Sequence, residues 1–251
     1  MNLTGQHILV TGASRGIGRA IARELMAQGG RVAVHYNSNK DAGLELLSEF
    51  PESDSICIGA DLEKPEDVAR LFHTCIDRLG KLDTIIVNAG VFLPHPPDMP
   101  PDSWFAVWKK TLSINLDSAG VLTHLGINHF LKHGGGRFIY VGSRAAFRGE
   151  TSDYMAYAAS KGGLTSLART VARSFGKSGI TSFVLAPGFT RTAMAESFIE
   201  THGESILLDE ISLPELTRPE HIAPLAAFIC EGKMDHATGT VIDLNAGSYM
   251  H

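Results

Sequence analysis

Short apolar runs rich in β-branched residues alternate with longer amphipathic stretches along most of this 251-residue chain. The runs are nearly continuous, which is typical of strands buried on both faces, and the amphipathic stretches have the apolar spacing of helices. Strict alternation of this kind predicts a parallel sheet with helices on both faces. We therefore predict an α/β fold in one domain, residues 1–251, with a doubly wound parallel sheet of about seven strands.

The boundaries of the predicted elements follow from this pattern. The predicted strands are His7–Val10, Arg31–His35, Ser55–Gly59, Thr84–Val87, Arg137–Val141, Thr181–Leu185 and Thr240–Leu244. The predicted helices are Gly16–Gln28, Asp41–Phe50, Pro65–Leu79, Trp104–His133, Tyr154–Gly176 and Pro219–Cys230. Asp102 and Ser103 are suitable N-caps for the fourth helix, Gly134 is a suitable stop, and the proline-rich stretch Pro94–Pro101 predicts a surface loop.

Composition excludes several classes of protein. Hydrophobic residues make up 44% of the chain, which is too many for a disordered protein. The net charge of −5 comes without a long basic segment, so we expect no nucleic-acid partner. The chain has no apolar stretch long enough to cross a bilayer and no signal-peptide pattern in Met1–Val10, so we expect no membrane partner. The widely spaced Cys57, Cys75 and Cys230 are typical of reduced thiols in a cytoplasmic protein.

The segment Phe189–Leu213 breaks the alternation. It mixes apolar residues with glycine and charges and follows a strand end, where open α/β sheets bind ligands. We interpret it as a helical lid that is mobile without ligand and closes over the substrate, with an ordinary pair of surface helices as the alternative. Apolar residues in and opposite this segment predict a substrate with a hydrophobic portion; they are Met194, Phe198, Leu207, Val91, Phe92 and Tyr154.

A glycine-rich turn follows the first predicted strand, in the sequence Thr11-Gly12-Ala13-Ser14-Arg15-Gly16-Ile17-Gly18. Glycines permit a tight turn and close approach of a ligand to the backbone, and the amides that begin the next helix face a pyrophosphate. Taken alone, such a turn could also join a strand to a helix without binding a ligand. Its position after the first strand of an alternating chain favours a dinucleotide site in a Rossmann-type fold.

Tyr157 and Lys161 lie four residues apart in a predicted helix, so their side chains share one face. Reduction of a carbonyl needs an acid beside the developing alkoxide, and oxidation of an alcohol needs its conjugate base. Lowering a tyrosine pKa from about 10 to about 7 takes about 4 kcal/mol, which a neighbouring ammonium and an oxidised nicotinamide can supply. The alternative is a half-buried tyrosine beside a solvated lysine. Tyr154 has Ala158 in place of a lysine partner, so we expect it to line the cleft or to pack nearby.

Five elements in order resemble the motifs of the short-chain dehydrogenase/reductase family. They are Thr11–Gly18, Asn88-Ala89-Gly90, Asn115, Ser143 with Tyr157 and Lys161, and Pro187-Gly188. The resemblance covers essentially the whole chain and is strongest to the β-ketoacyl-carrier-protein reductase type, including the ending Asn245–Met250. It implies an oxidoreductase that moves hydride between a nicotinamide cofactor and a carbonyl or alcohol.

The resemblance also implies the role of each catalytic residue. Tyr157 is the proton donor and acceptor, and Lys161 both assists it and holds the ribose of the nicotinamide. Ser143, after the fifth strand, donates to the substrate oxygen, with a helix or turn cap as its alternative. Asn115 helps to hold a water that links the lysine to solvent, with a tolerated polar position at a kink as its alternative.

The implied cofactor site is made of segments that follow successive strands. The segment after the fourth strand lines the adenosine half, and Asp61 contacts the adenine, with an N-cap as an alternative or additional role. The segment after the sixth strand meets the nicotinamide carboxamide, with Thr190 or Thr192 bonding the carboxamide or the pyrophosphate. The expected cofactor-binding residues are Gly12, Ser14, Arg15, Gly16, Ile17, Gly18, Tyr36, Asn37, Ser38, Asp61, Leu62, Asn88, Ala89, Gly90, Tyr157, Lys161, Pro187, Gly188, Thr190 and Thr192.

The end of the second predicted strand favours NADP(H) over NAD(H). NAD-specific enzymes place an acid there, which binds both ribose hydroxyls and repels a 2′-phosphate. No Asp or Glu occurs from Arg31 to Lys40, and the position falls at Tyr36, followed by Asn37 and Ser38. Arg15 lies where family members carry a basic residue toward the 2′-phosphate. The alternative is that Arg15 is a solvated turn residue and that the site accepts both cofactors.

The leading functional hypothesis is a reductase that acts on a ketone or a 3-oxoacyl thioester. The alternatives are a sugar, steroid or other alcohol dehydrogenase of the same family and, in a different class, an inactive dinucleotide sensor, which the retained catalytic residues disfavour. Where the reductase type carries arginines for an acidic carrier protein, this chain has Gly134 and Ser178, although other basic residues remain as candidates: Lys132, Arg144, Arg148, Arg173 and Lys177. The resemblance further implies a homotetramer paired through the helices Trp104–His133 and Tyr154–Gly176.

His129 and His133 are the nearest approach to a metal-binding pair. They lie four residues apart on a predicted helix, but no third ligand is evident and Gly134 follows at once. We expect no metal and interpret both residues as solvated at the end of the helix.

Overall fold

The computed structural model describes residues 2–193, 195, 199 and 203–250. Among these residues, seven parallel strands form one sheet in the order β3-β2-β1-β4-β5-β6-β7, which confirms the predicted Rossmann-type fold. The strand order reverses between β1 and β4, so their carboxyl ends form the crevice where such sheets bind ligands. The strands are β1 (His7–Val10), β2 (Arg31–Tyr36), β3 (Ile56–Gly59), β4 (Thr84–Val87), β5 (Gly136–Val141), β6 (Ile180–Pro187) and β7 (Val241–Leu244).

Helices connect the strands and cover both faces of the sheet. They are α1 (Gly16–Ala27), α2 (Lys40–Ser48), α3 (Pro65–Leu79), α4 (Pro101–Leu112), α5 (Ser118–Lys132), α6 (Ala145–Arg148), α7 (Met155–Phe175), α8 (Glu204–Leu208) and α9 (Pro219–Cys230). One hydrophobic core lies between the sheet and the face formed by α3, α5 and α7, and a second lies under α1, α2 and α9. Because both faces are buried, the strands are continuous apolar runs, as the sequence predicts.

The predicted helix Trp104–His133 is confirmed over most of its length, but it is not α-helical throughout. The helix begins earlier, with Pro101 in its first turn, so Asp102 and Ser103 lie inside the helix and cap nothing. A π-helical segment, Ser113–Asp117, then separates α4 from α5. One extra residue per turn re-aims the side chains of such a segment, and segments of this kind are frequent at functional sites. The predicted stop is confirmed, because α5 ends at Lys132 just before Gly134.

Part of the predicted lid is described. Within 189–213, the described residues include the short helix α8, in which Leu207 is buried and Ile206 is exposed. Met194 and Phe198, which we expected to contact the substrate, lie outside the described residues. In the portion of the chain that the structure describes, we find no helix with the length and apolar character that a bilayer crossing requires.

Candidate active site

The glycine-rich turn after β1 is built so that backbone, not side chains, faces the crevice. Gly12 and Gly16 have φ of 64° and 54°, in the left-handed region that favours glycine. A Cβ on Gly18 would overlap the Gly12 carbonyl oxygen and the Asn88 amide, so only glycine allows α1 to approach the turn. Arg15, the N-cap of α1, makes no side-chain capping bond, and the first turn carries no acid. Amides at the start of α1 are therefore available to an anion.

Thr11 and Asn88 hold this turn against the end of β4. The Thr11 hydroxyl accepts hydrogen bonds from the backbone amides of Asn88 and Ala89 at 2.9 and 3.0 Å. The Asn88 side chain in turn donates to the carbonyls of Thr11 and Gly12, at 2.8 and 3.2 Å. The Asn88 side chain thus helps to shape the glycine-rich turn.

His35, in β2, is a further support of the turn that the sequence analysis missed. Its ring is buried, and Nδ1 accepts the Gly12 amide at 3.0 Å while Nε2 lies 3.1 Å from the Ala60 carbonyl. Burial lowers the pKa of His35, which favours the neutral ring that can accept from Gly12. A histidine in the middle of an apolar strand was the available signal, but its partners become adjacent only through the sheet.

Asn115 lies in the π-helical segment and is almost fully buried. Its side-chain oxygen accepts the Val91 amide at 2.8 Å, and its amide donates to the Val91 carbonyl and to the Ser160 hydroxyl, at 3.0 and 3.1 Å. Asn115 thus joins the loop after β4 to α7. A Cβ on Gly90 would lie 3.3 Å from Oδ1 of Asn115 and 3.6 Å from Nζ of Lys161, so a glycine there keeps open the space beside both groups.

Ser143 and Tyr157 meet at the carboxyl end of β5. The Ser143 hydroxyl lies close enough to the Tyr157 hydroxyl to lower its pKa, and Ser143 Oγ also accepts the Ala145 amide at 3.1 Å. Burial outweighs this effect of Ser143 and raises the pKa of Tyr157 to about 12. The hydroxyl of Tyr157 is therefore protonated at neutral pH in the protein alone, as a general acid must be.

Lys161 lies one turn along α7 from Tyr157. Its Nζ donates to the Val141 carbonyl at 2.8 Å and lies 5.7 Å from the centroid of the Tyr157 ring. The side chain is almost fully buried, and this burial lowers its pKa to about 8. The predicted shared helix face is thus confirmed, and the reading of Lys161 as a solvated surface residue is wrong.

The chain after β6 folds back toward the glycine-rich turn. The Gly188 amide donates to the Leu244 carbonyl at 3.2 Å, and Thr190 is buried with its hydroxyl on the Gly188 carbonyl at 3.2 Å. Thr192 lies beside Gly16, where an added Cβ would come within 3.3 Å of its Cγ2. Of the two threonines, Thr192 is thus the one that lies next to the glycine-rich turn.

The remaining predicted cofactor residues lie at or just after the carboxyl ends of β1, β2, β3 and β4. Asp61 accepts the Glu63 amide at 3.1 Å and pairs with Lys64 at 3.3 Å. The N-cap of α3 is Lys64, so the helix-cap alternative for Asp61 is wrong. Tyr36 ends β2 with its ring against Gly59, where a Cβ would come within 2.9 Å. The other members are the buried Leu62 and the partly or fully exposed Ser14, Arg15, Ile17, Asn37, Ser38, Ala89 and Gly90.

Two aromatic side chains form a wall beside Tyr157. Phe92 and Tyr154 stack with their centroids 3.7 Å apart, and Phe92 meets the Tyr157 ring edge to face at 4.8 Å. All three rings are partly exposed. Tyr154 thus packs next to Tyr157, as the sequence predicts, and the wall presents an apolar surface beside it.

Arg144 follows Ser143 and is not a surface residue. Its side chain is 3% exposed; it donates to Glu210 at 2.8 Å and stacks over the Phe189 ring at 5.2 Å. Arg148 also lies 3.5 Å from Glu210. Our inclusion of Arg144 among the carrier-protein contacts is therefore wrong, because a buried guanidinium cannot meet an acidic protein surface.

Of His129 and His133, only His129 differs from our expectation of solvated residues, because His133 is exposed at the end of α5. The rings stack at 4.0 Å, and His129 is buried, with Nε2 3.2 Å from the Leu82 carbonyl. His133 Nδ1 lies 2.8 Å from the carbonyl of His129, which is in the last turn of α5. Within the described residues, no group of three His, Cys, Asp or Glu side chains is placed to hold a metal.

The crevice fits a dinucleotide. The turn at Gly12 and Gly16 leaves backbone amides open to a pyrophosphate, and the space beside Gly90 leads to Asn115 and Lys161. At its far end, a protonated tyrosine, a serine hydroxyl and a lysine converge. Such an arrangement can give a proton to a carbonyl oxygen and orient it by a second hydrogen bond.

A family model described as short chain dehydrogenase matches residues 6–203. The chain belongs to this family. As a short-chain dehydrogenase, it is an oxidoreductase that transfers hydride between a nicotinamide cofactor and a carbonyl or alcohol. The resemblance that the motifs carried in the sequence is thereby confirmed.

Several relatives match this short-chain dehydrogenase over nearly its whole length. The 3-oxoacyl-[acyl-carrier-protein] reductase of Pseudomonas aeruginosa is 33% identical, with 100% of each chain covered. The solved structure of a short chain dehydrogenase from Burkholderia cenocepacia in complex with NADP has a TM-score of 0.89 and 29% identity, and covers 99% of each chain. A 7α-hydroxysteroid dehydrogenase complexed with NADH and 7-oxo glycochenodeoxycholic acid has a TM-score of 0.90 and 28% identity, over 98% of this chain and 95% of that one.

Proposed function

We propose that this protein reduces a ketone with NADP(H), using Tyr157 as the general acid. The contact between the Tyr157 hydroxyl and Ser143 carries the proposal, because it brings an acid and a second donor to one point. Bound NADPH supplies the hydride, and the chain's own residues bind the carbonyl substrate, orient it and protonate its oxygen. Tyr157 gives its proton to the carbonyl oxygen as negative charge develops there. Ser143 fixes the direction of that oxygen by a hydrogen bond.

Lys161 and Asn115 complete the proposed site. The Lys161 ammonium favours the tyrosinate that forms when the proton leaves, since opposite charges stabilise each other in a buried site. By resemblance to the family, it also holds the ribose hydroxyls of the nicotinamide. Asn115 supports this arrangement by tying the loop after β4 to Ser160 in α7. The cofactor-binding residues named above hold the remainder of the dinucleotide.

For the substrate, we propose a free ketone with an apolar portion. The wall of Phe92 and Tyr154 beside Tyr157 supports this choice, since aromatic faces bind apolar groups. A thioester on an acidic carrier protein is less well supported, because Gly134 and Ser178 stand where we expected arginines and Arg144 is buried. The likeness to a hydroxysteroid dehydrogenase keeps oxidation of a ring-bearing alcohol as the second candidate.

A spectroscopic screen tests the proposed function. The protein is mixed with NADPH and one of three carbonyl compounds: α-tetralone, cyclohexanone or acetoacetyl-coenzyme A. Absorbance of the reduced nicotinamide is then followed. We expect faster turnover with α-tetralone than with the thioester. Turnover of the thioester alone would overturn the free-ketone proposal, and no turnover of any carbonyl would favour a dinucleotide sensor.

We expect a preference for NADPH over NADH that depends on Arg15. No Asp or Glu occurs from Arg31 to Lys40, and a charge-assisted contact to a 2′-phosphate contributes about 1.5–3 kcal/mol, or about 10–150-fold in affinity. Arg15→Ala is therefore expected to lower kcat/KM for NADPH by about that factor and to leave NADH unaffected. The measurement is kcat/KM with each cofactor for both proteins.

Arg23→Ala is the matched control for Arg15→Ala. Arg23 lies on the same helix but pairs with Glu49 at 2.7 Å, so its loss should not change cofactor discrimination. A wild type that uses NADH as well as NADPH contradicts the prediction. Unchanged discrimination in the Arg15 variant would instead assign the preference to Asn37 and Ser38.

We expect reductive kcat/KM to decline with rising pH as Lys161 loses its proton. The pKa of Tyr157, raised to about 12, keeps the acid protonated across the neutral range, whereas the pKa of Lys161, lowered to about 8, lets the ammonium be lost on the alkaline side. The profile should therefore be level below about pH 7 and fall through about pH 8. The profile is measured from initial rates at saturating NADPH. Circular dichroism at each pH verifies that the protein stays folded. A level profile to about pH 10 is inconsistent with the assigned role of Lys161.

We propose further that residues 1–251 form one domain that assembles as a cytoplasmic homotetramer. Family resemblance supports the assembly, and the free cysteines Cys57, Cys75 and Cys230 are in keeping with a reducing compartment. Light scattering coupled to size-exclusion chromatography tests the assembly, and a monomer would contradict it.

A further inference from the structure

His95 lies in the loop after β4 and is fully buried, although it stands between two prolines of a stretch that the sequence predicts to be a surface loop. Trp104 and Trp108, which stack on each other in α4, enclose it with their rings at 5.1 and 6.5 Å. A polar ring in such a place is expected to have hydrogen-bond partners, and those partners define what it does.

The partners of His95 belong mainly to the start of the catalytic helix. Its Nε2 accepts the backbone amide of Ala156 at 3.1 Å, and its own backbone amide donates to the Asp153 carbonyl at 2.8 Å. Nδ1 lies 3.2 Å from the Leu93 carbonyl, so it carries the proton. These partners require a neutral ring with an unprotonated Nε2 facing α7.

The first turn of α7 lacks a conventional cap. Tyr154 is its N-cap residue and makes no side-chain capping bond, and its ring is stacked on Phe92. The first amides of a helix have no partner within the helix, and a buried one must find an acceptor elsewhere. For Ala156, which directly precedes Tyr157, that acceptor is the His95 ring.

The same loop reaches the active site at two other points. Three residues before His95, Phe92 touches the rings of both Tyr154 and Tyr157. One residue earlier again, Val91 is bonded through both backbone groups to Asn115. The loop is thus fixed at Val91 by Asn115 and at His95 by α7, with the aromatic wall held between the two anchors.

We propose that His95 is a positioning residue for Tyr157: by capping Ala156 from another part of the chain, it sets where the first turn of α7 holds the tyrosine relative to Ser143. This rests on the proposed role of Tyr157 as the acid. His95 itself touches none of the reacting groups. A displacement of about 1 Å at a reacting group can cost about 10²-fold in rate, so a single bond at Ala156 is sufficient to matter.

Two amide variants of different reach test the proposal. In His95→Gln the side-chain oxygen lies at about the position of Nε2 and can accept the Ala156 amide, whereas in His95→Asn it lies near Nδ1 and falls short. We expect kcat of the glutamine variant to stay within about 3-fold of wild type and that of the asparagine variant to fall about 10–100-fold. The dissociation constant for NADPH, measured by fluorescence titration, should be unchanged in both. The substrate is the ketone of the screen that the wild type reduces fastest.

Equal kcat in the two variants, whether high or low, would overturn the proposal, since reach would then not matter. A loss confined to NADPH affinity would overturn it as well. Tyr157→Phe is measured alongside: if that variant retains activity, the proposed function fails for its own reason. The thermal unfolding midpoint of each variant shows whether a fall in kcat comes from a destabilised fold. A fall in kcat at an unchanged midpoint indicates a displaced Tyr157.

Discussion

Tyr157→Phe is expected to lower the rate of ketone reduction by about 10²–10⁴-fold while NADPH still binds. The change removes one hydroxyl, the only group of Tyr157 that can give a proton to the substrate. The aromatic ring, which contacts Phe92 at 4.8 Å and lies over Lys161, is retained. Steady-state kinetics with NADPH and the best ketone measure the loss of rate, and fluorescence titration measures binding.

Tyr154→Phe is the matched control. Tyr154 is three residues away and faces the same crevice, but it lacks a lysine one turn later and is held by stacking on Phe92. Its hydroxyl is therefore expected to be dispensable for the proton transfer, with a change in kcat of less than about 3-fold. Near-full activity of Tyr157→Phe, or an equal loss in both variants, would mean that Tyr157 is not the acid.

Lys161→Met is expected to lose both turnover and affinity for NADPH. The ammonium is buried, donates to the Val141 carbonyl at 2.8 Å and lies beside the Tyr157 ring. Methionine fills similar space without a charge, so the stabilisation of the tyrosinate is lost and kcat should fall by about 10²-fold or more. Loss of a charge-assisted bond to the ribose should raise the NADPH dissociation constant by about 10-fold or more.

Lys177→Met controls for the loss of a positive charge elsewhere. Lys177 is exposed in the turn after α7, away from the proposed cofactor site. Its replacement should leave kcat and the NADPH dissociation constant unchanged. An unchanged dissociation constant for NADPH in Lys161→Met would remove the ribose-binding role. An unchanged kcat would remove the role beside Tyr157, so the two functions of this lysine are tested separately.

Local sequence determines the order of the elements and the identity of the reacting groups. Continuous β-branched runs such as Thr84–Val87 are typical of strands buried on both faces, and their alternation with helices indicates a parallel sheet. The four-residue spacing of Tyr157 and Lys161 places both on one helix face before any tertiary contact is known. The glycines of the turn after β1 are likewise readable from the sequence, because the positive φ of Gly12 and Gly16 is a property of the local backbone.

The tertiary structure alone decided which residues support those groups. Asn88 meets Thr11 across 77 positions of sequence, and His95 meets Ala156 across 61. Such pairs are set by the strand order, which makes β1 a neighbour of β4 and brings the loop after β4 onto α7. Helical and strand periodicity reports only on neighbours a few residues apart. The sequence alone therefore predicts the helices, the strands and the identity of the proposed acid. The buried hydrogen bonds that hold the acid in place arise only when the sheet assembles and brings distant residues into contact.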